Sequence, residues 1–165
     1  MRNFYLKLVG LVALLGLMTT LAFRPAAAPA AGGTVALKLN GKAYSLVPTS
    51  RYLTMGTANI HANLGAGDVS LAFYLPDNLK LPLRLTLGDA MASTSVIYTP
   101  DNAQAGKFFY WSSKGTLTVT RYDAATRTVS GTFSCTGQLR KNLKDVPGST
   151  VQLTDGRFDN VQLVK

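Results

Sequence analysis

Leucine stands at positions 79, 81, 83, 85 and 87, with Lys80, Pro82, Arg84 and Thr86 between them. Five apolar residues at a period of two fix the local geometry. A strand sends alternate side chains to opposite faces, so all five leucines share one face. An amphipathic helix would need them at every third or fourth position. The stretch reads as a strand with one buried face. Pro82 has no amide hydrogen for a ladder, which places it on an edge strand or just before a strand begins.

The same period governs most of the chain after residue 31. Asn40-Gly41 is a strong signal for a tight hairpin, because both central residues of such a turn take positive φ. A two-residue turn there pairs Leu39 with Lys42, Leu37 with Tyr44 and Val35 with Leu46, and these apolar residues share a face. Over 54–64, Gly56, Ala58, Ile60, Ala62 and Leu64 fall on one side, and Thr57, Asn59, His61 and Asn63 on the other. Val69, Leu71, Phe73 and Leu75 follow after a Gly-rich turn. Residues 95–99 and 107–112 read as two short strands. Leu117 and Val119 are expected to face Val129, Gly131, Phe133 and Cys135 across a second hairpin, with opposed numbers summing to 250 or 252. Residues 137–149 read as a polar, basic loop. Residues 150–154 and 158–164 read as closing strands, with a turn or bulge at Asp155-Gly156. The expectation is an all-β domain of nine or ten antiparallel strands, closed as a sandwich or a flattened barrel.

The first 31 residues have another character. Arg2 and Lys7 precede an apolar run from Leu8 to Phe23, and an Ala-rich stretch with small-residue cut sites follows it. This is the layout of a secretory signal, with cleavage expected after Ala30 or Ala31. The alternative is an uncleaved N-terminal anchor. Export to the periplasm, cell surface or medium follows from the signal reading, with residues 32–165 as one domain and no membrane span in the mature protein. Removing the leader leaves 14 basic residues against eight aspartates, a net charge of +6. The cations are scattered apart from Arg140, Lys141 and Lys144. That pattern suits a soluble basic surface better than a nucleic-acid interface, which concentrates charge on one face.

Side chains suited to chemistry are sparse. With one His and one Cys, the usual zinc ligand sets cannot be assembled. No cofactor is expected. His61 falls on an outward face with no obvious partner. Cys135 falls on an apolar face, the setting of an inert thiol. Asp77, Asp89, Asp101, Asp155 and Asp159 are the carboxylates from which a glycosidase-type pair would be drawn. Their Pro, Gly and Asn neighbours fit turns better. Asp155 and Asp159 could also offer oxygens to calcium, without the ligand density of a dedicated loop. The densest aromatic run is Phe108-Phe109-Tyr110-Trp111. In a strand one alternate pair packs inward, and the other is left as a platform for a sugar or lipid. Tyr98, Phe109, Tyr110 and Trp111 are therefore the expected ligand-binding residues of a non-enzymatic domain. Pairing of an open strand edge with another envelope protein is the alternative.

The segments GTLTVTRYD (115–123), TVSGTFSCT (128–136) and STVQLTDGRFDNVQL (149–163) carry a resemblance. With NGKAY (40–44) and LPLRLTLG (81–88), they resemble a family of exported β-rich domains of unknown function from Bacteroidota-type bacteria. The matching positions are Gly131, Thr132, Phe133, Asp155, Gly156, Phe158 and Asp159. The resemblance implies export and an all-β fold, and no catalytic residue. Similar proteins are often lipoproteins, whereas this chain has no cysteine near its expected cut.

Overall fold

A computed structural model describes residues 32–65, 67–88, 93–101, 103 and 108–165. Residues 1–31, on which the expected leader and cut site fall, and Asp89 lie outside the described residues. Ten strands run in chain order: β1 (Thr34–Leu39), β2 (Lys42–Leu46), β3 (Ser50–Thr54), β4 (Thr57–Asn63), β5 (Gly67–Tyr74), β6 (Leu83–Leu87), β7 (Ser95–Pro100), β8 (Phe108–Asp123), β9 (Thr128–Lys141) and β10 (Lys144–Gln162). They form one antiparallel sheet in the order β2-β1-β10-β9-β8-β7-β5-β4-β3, and β6 pairs with β8 beside β7. No helix occurs among the described residues.

The sheet curls into a half-barrel and is bridged at one end by the C-terminal residues. Val164 pairs with Tyr52 of β3. Leu53 N–H donates to Val164 O (2.8 Å), and Val164 N–H donates to Arg51 O (3.2 Å). The concave face is the core. It holds Val35 and Leu37 of β1, Ile60 of β4, Leu71 and Phe73 of β5, Leu117 and Val119 of β8, and Leu153 and Phe158 of β10, all buried. Strand periodicity placed those of β1, β4, β5 and β8 on the apolar faces of their strands; Leu153 and Phe158 share the core side through a bulge.

Bulges do the bending. β9 keeps a strict alternation, burying Val129, Gly131, Phe133, Cys135 and Gly137. Its neighbours do not. β10 buries Val151 and Leu153, then Gly156 and Phe158, then Val161. Register shifts between Leu153 and Gly156 and between Phe158 and Val161 each add one residue and reverse the parity. β8 is shifted between Ser112 and Lys114 and again between Val119 and Arg121. An extra residue on one strand bends it and increases its twist, so two bulged strands wrap around a straight one.

Gly131 and Gly156 make the tight wrap possible. A Cβ on Gly131 would lie 2.4 Å from the ring of Phe158, its cross-strand partner, and one on Gly156 would lie 2.6 Å from the ring of Phe133, its own partner. Each phenyl ring therefore lies over a glycine on the opposite strand.

The first hairpin has the expected register, Leu39 opposite Lys42, Leu37 opposite Tyr44 and Val35 opposite Leu46. In the second, Leu117 opposes Phe133 and Val119 opposes Gly131. These numbers sum to 250 until the bulge at Thr120 offsets the pairs nearer the turn.

Four expectations need correction. Residues 137–149 are not a loop: β9 runs to Lys141, turns at Asn142-Leu143 and returns as β10. Phe108–Asp123 is one strand, as is Lys144–Gln162, because bulges carry each ladder through what read as breaks. Ser50–Thr54 is a separate edge strand, joined to β4 by a turn in which Met55 and Gly56 have φ of 49° and 76°. Of the five alternating leucines, only Leu83, Leu85 and Leu87 lie in β6, which begins directly after Pro82.

The antiparallel order gives the molecule two distinct ends. One carries the Met55-Gly56 turn, the 75–82 connection, the 124–127 turn and the last residues, and is called the cleft end below. The other carries the Asn142-Leu143 turn and the start of β8, and is called the hairpin end.

Candidate functional site

Strand alternation separates the four aromatic residues singled out in the sequence. Tyr98 of β7 and Tyr110 of β8 are cross-strand partners. Their rings stack on the concave side, 5.9 Å apart at 23°. Tyr98 is 8 % exposed. Burial raises its phenol pKa above the ordinary range, and Tyr44, Asp101 and Tyr110 nearby add to the effect. This pair belongs to the wall of the core near the hairpin end.

Phe109 and Trp111 project from the opposite, outward side of β8, with ring centroids 6.3 Å apart in an edge-to-face arrangement. β9 places Arg140 opposite Phe109 and Gln138 opposite Trp111. The Arg140 guanidinium sits over the indole, 5.3 Å from the ring centroid, within cation–π range. Its Nε–H donates to Asp145 Oδ1 at 2.8 Å, across the terminal hairpin. The two-residue turn at Asn142-Leu143 folds β10 back so that Asp145 lies opposite Arg140.

A bulge in β10 shapes the rest. Residues 146–149 leave the ladder, and Gln138 Nε2 donates to Val146 O and to Ser149 O. One amide side chain thus satisfies two carbonyls that the ladder has lost, which fixes the rim of the site. Ser113 Oγ donates to Thr136 O at 3.1 Å, and buried Ser112 accepts from Val96 N–H at 3.1 Å. Trp111, Gln138, Arg140, Asp145, Gly88, Ser112 and Ser113 enclose a depression of about 100 Å³. This is well below the roughly 300–1,000 Å³ of a pocket that engulfs a small molecule. Its shape is that of a surface contact with an aromatic wall and charged, planar hydrogen-bonding groups at the side.

Other polar groups have their own positions. His61 Nδ1 and Ser70 Oγ share a 2.7 Å hydrogen bond on the outward side of β4 and β5, and the Tyr52 ring stacks on the imidazole at 6.1 Å. The sequence named no partner for His61. Ser70 becomes one only through the register, in which the two residues are directly opposed. Asp155 and Asp159 are tied to separate cations, Lys38 at 2.8 Å and Arg157 at 3.6 Å. Asp123 accepts from the N–H groups of Ala125 and Thr126, which holds its carboxyl below the usual carboxylate range. Burial pushes the Cys135 thiol up to about 12. No group of three or more metal-ligating side chains occurs among the described residues.

At the cleft end, Leu53, Leu75, Leu79, Leu81, Tyr122 and Asp77 help to line an open cleft of about 710 Å³. Sequence periodicity did not point to it. The cleft is built by turns and by leucines that fall outside β6.

A comparison with family models finds no match, and none of the curated proteins or solved structures matches either. The resemblance described above therefore rests on its motif residues.

Proposed function

We propose that this is an exported, non-enzymatic envelope domain that binds a sugar at the outward aromatic face of β8 and β9. The reading is carried by one observation: Phe109 and Trp111 stand outside the core with an Arg140–Asp145 pair fixed beside them. The core has its own aromatic residues, including Phe73, Phe133 and Phe158, so packing does not call for two more on the outward side. An aromatic face accepts the apolar side of a pyranose ring. A guanidinium and a carboxylate offer complementary donors and acceptors to vicinal hydroxyls. The shallow depression suits one sugar unit of a longer glycan.

The test is retention on insoluble peptidoglycan and on a panel of immobilised oligosaccharides. Binding is expected for the parent and reduced by about tenfold in Phe109→Ala and Arg140→Ala, a loss near 1.4 kcal/mol. Failure of the parent to bind any of them would remove the reading.

A second reading has its own support. β2 pairs only with β1, and β6 only with β8, among the described strands. Either could add a strand from an envelope partner. Chromatography and cross-linking that find only monomer in envelope extracts would count against it.

A further inference from the structure

We propose that the cleft end docks on the surface of an anionic phospholipid bilayer, independently of the sugar site. Seven large hydrophobic residues are exposed among the described residues, and five of them, Tyr52, Met55, Tyr74, Leu81 and Val164, belong to this end or to the strand edge beside it. Met55 is 95 % exposed at the tip of its turn. It holds φ of 49° there, a conformation that Asn or Gly adopts with less strain. The turn geometry gives no reason for methionine, and its exposed apolar side chain does. Leu81 stands on the rim of the neighbouring cleft. The Tyr74 ring lies against Gly56, where an added Cβ would come within 2.7 Å of it. Tyrosines flanking apolar tips are the composition of a membrane–water interface.

Charge at this end points the same way. Lys80, Arg121, Arg127 and Lys165 stand there against Asp77 and Asp123, while Asp159 is already paired with Arg157 at 3.6 Å. The Asp123 carboxylate is exposed and accepts from the N–H groups of its own turn. Basic residues beside exposed apolar side chains favour anionic headgroups. The entry of the chain agrees. Gly33 packs against the backbone of Asp159 to Val161, and Gly32 against the Arg51 guanidinium. The 31 residues that precede them, with the apolar run 8–23, therefore join the domain at the same end. On the export reading proposed above, the exporting membrane and the cleft end start as neighbours.

The hairpin end supplies the internal control, because Leu143 is 78 % exposed there with Lys141 and Lys144 on either side. Residues 32–165 contain the whole described core and the bridge from Val164 to β3, so this segment is the one to test, after a melting curve shows a cooperative fold. It is sedimented with vesicles containing phosphatidylglycerol and with vesicles of phosphatidylcholine alone. Binding is expected to the first and to be weaker by about tenfold or more to the second. Met55→Asp with Leu81→Asp is expected to lose about tenfold on the anionic vesicles. Asp suits the left-handed turn at least as well as Met, and Leu81 is exposed on the cleft rim. A melting curve of the double variant matching the parent separates lost binding from misfolding. Leu143→Asp and Trp111→Ala are expected to bind as the parent does. Equal binding by the parent and the double variant, equal binding to both vesicle types, or loss in Leu143→Asp alone would overturn the proposal. Because Trp111→Ala is scored on the same vesicles, failure here is separable from failure of the sugar site.

Discussion

Phe73 of β5 and Phe158 of β10 meet ring to ring, with centroids 5.4 Å apart at 31°, although three strands lie between β5 and β10 in the sheet. The contact crosses the hollow of the half-barrel, and both rings are fully buried. A flat sheet would keep these residues several strand spacings apart, so their contact measures the curl itself. Phe158→Ala is expected to cost about 3–5 kcal/mol. A double-mutant cycle with Phe73→Ala should show coupling, and strict additivity would argue against direct packing.

The glycine under each ring gives a second expectation. A methyl group on Gly131 would meet both the Phe158 ring and Thr118 O, the latter at 2.3 Å. Gly131→Ala should therefore cost about 1–3 kcal/mol through overpacking. Denaturant melts would show this as a lower midpoint. Gly41, whose added Cβ meets nothing within 4 Å, makes a poor control because its φ is 85°. Ser134→Ala, on the exposed side of β9, is the better one and should change little.

Alkaline stability follows from Cys135. Its thiol ionises near 9.0 when exposed and near 12 in the fold. Between those values the unfolded chain releases a proton that the folded chain keeps, so stability falls as pH rises above 9.0. Linkage gives a loss of about 1.4 kcal/mol by pH 10. Tyr98, also raised by burial, acts in the same direction at higher pH. Cys135→Ala should flatten the melting temperature between pH 8 and 10 relative to the parent, whatever its cost at neutral pH. An unchanged pH slope would mean that the thiol is not shielded as described.

Much of the fold was legible because β-strands expose their pattern at a period of two. The Asn40-Gly41 hairpin and the Leu117–Phe133 pairing needed only that period and a turn residue. What stayed hidden has one physical cause in β8 and β10: each bulge reverses the inside and outside positions, so a single long strand reads as two. The β9–β10 turn was missed because it is formed by Asn142-Leu143, with Leu143 at φ of 62°, and leucine is not a turn signal. β3 was missed for the same reason at Met55. As for the site, alternation predicted that Phe109 and Trp111 would part from Tyr110. Arg140, Gln138 and Asp145 became partners only through the register of a hairpin that read as a loop.

The strained turn at Met55 offers a test that links stability with surface. Met55→Asn should stabilise the domain by about 1 kcal/mol by relieving the left-handed backbone, read as a higher melting temperature. If membrane docking retains the methionine, the same variant should bind anionic vesicles less well. A variant that loses stability would contradict the turn geometry.

Trp111 is the only tryptophan in the chain, so its fluorescence reports on the aromatic face without a label. Titration with a bound glycan fragment should shift or quench its emission saturably. Phe109→Ala and Arg140→Ala should weaken that response by about tenfold while leaving the melting temperature nearly unchanged. A glycan that binds the domain without altering Trp111 emission, or binds the two variants as tightly as the parent, would contradict a sugar site on β8 and β9.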